Sequence, residues 1–377
     1  MKIGLITDAM DEKIKVGAGN FTYNLVKNLL ELDKKNEYIL IHYKKSNIDL
    51  YKKTKELLIS CPEIPYINFL IKNFLIVPSR IKKENFDIIH SVGSIGPLTK
   101  NKQKTKIIQT IFDLVPLKYP KTHPWSTRIA NKFFIPFSIK KKAIDYFITI
   151  SKSSKQDIID YYKISGDKIK ITYPGLNKGY KQLKFNTNSF KKKYGITSGY
   201  ILYVGMSEPK ENISNLIKAF YLLIKKGYNE SLVIVGKRGW DYKNLIKLVK
   251  KLKLQEKVIF TGYIPDKDLP LLYNAADLFV SIPFHDGWSL PICESMACGC
   301  PVIASDIKVF REITDSNSWI GVNPNNINEI TIAMEKVLRE PILKQKLIKN
   351  GLKRVKLFDW KKTAKETLSF YEKIMYD

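Results

Sequence analysis

Between His285 and Cys300 the chain reads HDGWSLPICESMACGC, and its carboxylates at Asp286 and Glu294 stand eight positions apart around a Gly-Trp-Ser-Leu-Pro loop. A buried core has no need of such acids, and a solvated surface has no need of the small, apolar Ala297, Cys298 and Gly299 behind them. A binding loop explains both. Gly287 lets backbone come close to a ligand. Pro291 suits the first turn of a helix, whose free N–H groups form an anion site. Glu294, in or near that turn, can accept hydrogen bonds from hydroxyls such as those of a ribose. Gly299 can end the helix. The plain alternative is that Glu294 only complements the helix dipole, worth roughly 0.3–1 kcal/mol. That alternative accounts for neither Asp286 nor the loop. Cys293, Cys298 and Cys300 fit no C-x-x-C metal pair and read as packed, reduced thiols.

Such a loop must be held at the end of a strand. Ahead of it DLFVSIP reads as a strand, as do YILYVG from Tyr200, SLVIVG from Ser231, KVIFTGY from Lys257 and PVIASD from Pro301, with helical patterns between them. The strand ends lead into MSEPKEN, KRGWDY and HDGWSL, and in open α/β sheets ligands bind beyond carboxyl ends of strands. The N-terminal half alternates in the same way through KIGLITDA, YILIHY, FDIIHS, KIIQTIF, YFITIS and KIKITYP. The expected architecture is α/β: two doubly wound, Rossmann-like domains facing a central cleft. Residues 1–183 form the first domain and 184–199 a basic linker or short surface helix. Residues 200–353 form the second, and 354–377 a terminal helix crossing back to the first.

The 377 residues are 44% hydrophobic and 27% charged, an ordinary globular composition. No apolar run reaches the roughly 18 residues of a membrane helix, and MKIGLITDA is a strand pattern rather than a secretory signal, so a cytoplasmic protein is expected. The net charge of +28 is the outlier. Lysine-solvated faces account for most of it, and no nucleic-acid partner is expected from charge alone. One segment mixes aromatics with base: RIANKFFIPFSIKKKAIDYF from Arg128. It can rest on anionic headgroups at the inner face of the membrane, or it can be a core-facing helix with a lysine face.

From Asp286 to Val302 the residues D-G-W-S-L-P-I-C-E-S-M-A-C-G-C-P-V resemble E-G-F-G-L-P-x-x-E-A-M-A-C-G-x-P-V of the retaining glycosyltransferases of family four, which have the GT-B fold. The resemblance spans nearly the whole chain. GAGNFTYNL from Gly17 looks like the family's N-terminal glycine loop and FDLVPLKYP from Phe112 like its His-Asp-Leu segment. ISKSSKQDI, ITYPGLN, GMSEPKENI, LVIVGKRGW, FTGYIPDKDL and LYNAADLFV follow in the family's order. By this resemblance Glu294 would bind the nucleotide ribose and Asp286 would contact the donor sugar near the reacting centre, with Asp113 a second catalytic residue. Loop amides around Ser289 and Leu290 would hold the diphosphate, Gly287 and Trp288 would also bind the donor, and Gly17 and Gly19 would approach the donor phosphates from the other domain. No third glycine follows those two, so they are not a dinucleotide fingerprint.

The resemblance implies transfer of a sugar from a nucleotide-diphospho-sugar to a hydroxyl of a glycan or lipid-linked acceptor. No metal and no cofactor are expected. Three residues depart from the pattern: Asp286 for glutamate, Phe112 for histidine, and Glu211 for the lysine that clamps the leaving diphosphate. A like charge ~4 Å from the phosphates costs up to ~4 kcal/mol at an effective dielectric near 20. Lys210 or Lys237 could supply the cation instead. The alternative is a catalytically inactive relative serving as a partner or scaffold subunit.

Overall fold

In a computed structural model of the chain, the described residues are 1–11, 17–60, 71–93, 96–97, 104–120, 128–197 and 199–376. They divide into two compact units, Met1–Gly175 with Phe358–Asp377, and Leu176–Leu357.

The first unit is built on strands β1 (Lys2–Ile6), β2 (Glu37–His42), β3 (Lys55–Leu58), β4 (Ile88–Ser91), β5 (Lys106–Thr110), β6 (Tyr146–Thr149) and β7 (Ile169–Ile171). They form one parallel sheet in the order β3-β2-β1-β4-β5-β6-β7. In β2 the residues from Tyr38 to His42 are all buried, so the sheet is covered on both faces, as continuous apolar strands require. Strand order reverses between β1 and β4, the place where such sheets open a crevice beyond their carboxyl ends. Helix Trp360–Tyr376 belongs to this unit and packs on helix Gly17–Leu32. The Trp360 ring meets Phe21 edge-on at 5.5 Å, and the Tyr371 hydroxyl shares a 2.5 Å hydrogen bond with Nδ1 of buried His90.

The second unit carries β8 (Tyr200–Val204), β9 (Ser231–Val235), β10 (Val258–Gly262), β11 (Leu278–Ser281), β12 (Val302–Ser305) and β13 (Ile320–Val322). The order is β10-β9-β8-β11-β12-β13, again parallel, with the reversal between β8 and β11. Tyr203, Phe220, Val280 and Met334 are among its fully buried core residues. The unit begins at Leu176 rather than at the 183/184 boundary read from sequence, because the segment before Phe185 packs here. Leu183 N–H donates to Asn274 Oδ1 at 2.8 Å, and Tyr180 meets Tyr273 ring to ring at 6.0 Å. The segment 184–199 contains a short helix, Thr187–Lys193. The edge strands β3 and β13 have no counterpart in the sequence reading.

Candidate functional site

The reversal between β8 and β11 places two loops side by side, the one after Val204 and the one after Ser281. Phe284 N–H donates to the Lys210 carbonyl at 3.0 Å, which ties the loops together. The first loop closes in the short turn Pro209–Glu211. Asn212 follows at φ 56, a left-handed conformation that asparagine tolerates, and its amide donates to the Pro324 carbonyl at 2.7 Å. Helix Ile213–Lys225 starts from there. The loop after β9 joins on the other side. Ser207 N–H donates to the Lys237 carbonyl at 3.2 Å, and Gly236 sits at φ +139, where a Cβ would lie 2.0 Å from the Gly205 carbonyl oxygen. Only glycine permits that approach.

These loops gather charge. Lys210 Nζ lies 3.4 Å from Glu211 Oε1, and the buried Tyr203 hydroxyl donates to Glu211 Oε2 at 3.1 Å. Burial first, then the charges of Glu211, Asp286 and Glu208, hold the Tyr203 phenol well above its ordinary pKa. Desolvation also raises Glu208, against the pull of Lys210. Asp286, Glu208 and Glu211 therefore share one neighbourhood with Lys210. The acid at position 211, a liability when read from sequence, is engaged from both sides, by the strand beneath it and by the lysine before it.

Asp286 accepts the Gly287 N–H at 2.8 Å at the entry to the second loop. Gly287, Trp288 and Ser289 are buried, and helix Leu290–Ala297 begins after Ser289 with Pro291 in its first turn. Glu294 is the fifth helical residue, one turn deeper than a dipole-complementing acid. It keeps part of its surface in water, yet its carboxylate is closely enclosed. Tyr273 donates to Oε2 at 2.9 Å and Tyr180 adds a second hydrogen bond. Burial raises this carboxyl to about 7 in spite of both donors. Gly299, at φ +73, ends the helix, with its N–H on the Met296 carbonyl at 3.1 Å. Cys293, Cys298 and Cys300 are buried free thiols, and burial pushes Cys300 up to about 12.

In the first unit, Gly17 and Gly19 form the first turn of helix Gly17–Leu32 rather than a loop. Among the described residues a Cβ at Gly17 would meet nothing within 4 Å, so their packing does not demand glycine there. Asp113 follows β5 and accepts the Val115 N–H at 2.9 Å, at the head of the short helix Val115–Lys118. Phe112, in place of the family's histidine, meets Phe21 edge-on at 5.2 Å, which brings that segment beside the glycine turn.

Sequence reasoning missed Tyr180, Tyr203 and Tyr273. Tyr273 lies in a helical apolar pattern and reads as core. The usable signal is that a buried tyrosine hydroxyl needs a partner.

The family described as Glycosyl transferases group 1 matches residues 185–354, and Glycosyltransferase Family 4 matches residues 16–179. Among curated relatives, O-antigen chain mannosyltransferase B of Escherichia coli is 29% identical over 271 residues, 71% of this chain and 70% of that protein. O-antigen chain mannosyltransferase RfbU of Salmonella typhimurium is 27% identical over 340 residues, 87% of this chain and 89% of that protein. Serotype-specific mannosyltransferase WbdA of E. coli is 26% identical over 278 residues, and the match spans 34% of that longer protein. Sucrose-phosphate synthase from Thermosynechococcus elongatus superposes with a TM-score of 0.79 at 18% identity, covering 100% of this chain and 99% of that one.

Proposed function

The chain belongs to the group 1 glycosyltransferases and is a glycosyltransferase of the GT-B fold, and on that premise we propose a retaining transfer from a nucleotide-diphospho-sugar to a hydroxyl. Its relatives' names support a place in polysaccharide synthesis and make mannose the first sugar to test. The acceptor in this reading is a glycan or a lipid-linked sugar, met in the cytoplasm at the inner face of the membrane.

The observation that carries the reading is Glu294, held by Tyr273 and Tyr180 on the helix that follows the Asp286 loop. Glu294 accepts hydrogen bonds from the ribose hydroxyls. Loop amides around Ser289 and Leu290 face the diphosphate, with Gly287 and Trp288 beside them in the donor site, where a helix N-terminus favours negative charge. Asp286 contacts the donor sugar. Lys210 and Lys237, on the loops after β8 and β9, offset the charge that develops as the diphosphate leaves. From the first unit, Gly17 and Gly19 approach the donor phosphates and Asp113 takes a catalytic part. The acceptor hydroxyl attacks from the face the diphosphate leaves, and its proton passes to a phosphate oxygen. The reading assigns no step to a metal, so transfer should persist in excess chelator.

A thermal-shift screen against UDP, GDP, ADP and their sugars identifies the donor class, since a ligand of the folded state raises stability by mass action. Transfer from the stabilising donor, with the product anomer read by NMR, completes the test. Nucleotide binding without transfer or donor hydrolysis across the panel would overturn the proposal.

A further inference from the structure

Beyond the carboxyl ends of β1 and β2, the first unit holds a cluster of charged side chains that the donor chemistry does not use. Asp8 opens the short turn Asp8–Met10 after β1, Asp11 follows that turn, and His42 ends β2. Tyr51 joins them: its ring stacks on His42 at 4.0 Å, and its hydroxyl donates to Asp11 Oδ1 at 2.8 Å. Lys72 Nζ lies 3.5 Å from Asp8 Oδ2, and Glu56 Oε2 lies 3.4 Å from His42 Nε2. The His42 side chain is 2% exposed and that of Asp11 5%.

Asp8 Oδ1, Asp11 Oδ2 and His42 Nε2 are buried and have no hydrogen-bond partner among the described residues. The Lys44 carbonyl, 2.9 Å from His42 Nδ1, can only accept, so that nitrogen carries a hydrogen and a neutral ring leaves Nε2 a bare acceptor. All three orphans then lack a donor. Buried polar atoms in native proteins nearly always have a partner, because an unmet one is costly. Burial accordingly raises the pKa of the Asp11 carboxyl, against the pull of Tyr51 and His42.

We propose that Asp8, Asp11 and His42 form a subsite for a neutral, hydroxyl-rich sugar residue of the acceptor. Sugar hydroxyls carry several donors on one rigid ring, which is what three unmet acceptors require. A phosphorylated or acidic sugar would meet Asp8, Asp11 and Glu56 as like charges, and the charge of Lys72 is already answered by Asp8. Among the described residues no group of His, Cys, Asp or Glu is placed to hold a metal ion, so the three orphans do not form a metal site. Ligands of open parallel sheets bind beyond the carboxyl ends of strands where strand order reverses, and β1 borders that reversal. The inference deepens the acceptor reading and rests on it for its purpose, though not for its test.

The test is saturation-transfer NMR of the full chain with methyl glycosides of glucose, galactose, mannose, rhamnose and N-acetylglucosamine, which needs no turnover. At least one should bind, and no 6-phosphate of the set should bind more tightly. Asp8→Asn and Asp11→Asn each replace a charged acceptor by a neutral amide of the same shape, and each should weaken that glycoside at least about tenfold. The site is also read without a variant: the His42 ring resonances should shift on adding the glycoside, while those of fully buried His90 stay. Stabilisation by nucleoside diphosphates should be unchanged in both variants, since the donor loops lie in the second unit. No binding across the glycosides, a preference for a 6-phosphate, or wild-type affinity in either variant overturns the subsite. A chain that binds the glycoside but is stabilised by no nucleotide sinks the transferase reading and leaves the subsite standing.

Discussion

The Tyr273 hydroxyl donates to Glu294 Oε2 across 2.9 Å, from the helix before β11 to the helix after it. Burial drives this carboxyl up to about 7, while Tyr273 and Tyr180 pull it back. The result is a carboxylate poised near neutrality, fixed in direction by two phenols and still in reach of solvent.

Glu294→Ala should weaken binding of the cognate nucleotide by roughly 1.5–3 kcal/mol, the usual worth of hydrogen bonds to a charged group. Calorimetry above pH 7.5 is the measurement. An unchanged affinity removes Glu294 from the ribose site.

The raised pKa makes nucleotide affinity depend on pH. Only the ionised carboxylate accepts with both oxygens, so affinity should fall as pH drops through about 7. Tyr273→Phe removes a donor that favours the charged form and should move this limb to higher pH. Ligand-free stability carries the opposite sign. Between the ordinary 4.5 and about 7 the folded state keeps a proton that the unfolded chain has released, so stability falls as pH rises through that window. Glu294→Gln should flatten that slope in chemical denaturation. A slope matching wild type would contradict the shift.

Glu211 stands beside Lys210 and takes the Tyr203 hydroxyl. Glu211→Gln keeps an acceptor for Tyr203 and removes a negative charge. Affinity for the nucleoside diphosphate should rise, by up to about tenfold or ~1.4 kcal/mol. A loss of affinity with an unchanged melting temperature would mean that the carboxylate itself takes part in binding.

Tyr371 and Thr110 flank His90, 2.5 and 2.7 Å from its two ring nitrogens. Burial holds this histidine neutral, its pKa lowered to about 3. The unfolded chain takes up a proton below the ordinary 6.5 that the folded state refuses, so this contribution to stability is lost as pH falls from 6.5 toward 3. Tyr371→Phe leaves one ring nitrogen without its partner and should cost ~1–3 kcal/mol in urea denaturation. No measurable cost would show that the Tyr371–His90 hydrogen bond does not help hold the terminal helix.

The candidate site was legible where its residues are local in sequence. Asp286, Gly287, Pro291, Glu294 and Gly299 lie within one loop and helix, and the Gly299 left-handed cap follows from residue type. Tyr273, Tyr180 and Tyr203 were not legible. A tyrosine within an apolar pattern looks like core, and only the fold shows which buried hydroxyl meets which carboxylate. The reading of Glu211 changed for the same reason, since its partner Tyr203 sits on the strand below and Lys210 on the same turn.

By itself the amino-acid order determined the alternation of strands and helices, the two α/β halves and the position of the acid-bearing loop. Apolar runs, turn residues and helix starts act within a few neighbours along the chain. Only tertiary structure decided the edge strands β3 and β13, too short to show a pattern. It also decided the boundary at Gly175 and the phenols around Glu294. Each of these depends on contacts between residues far apart in the chain, and desolvation and hydrogen bonding act through space once the sheets have formed.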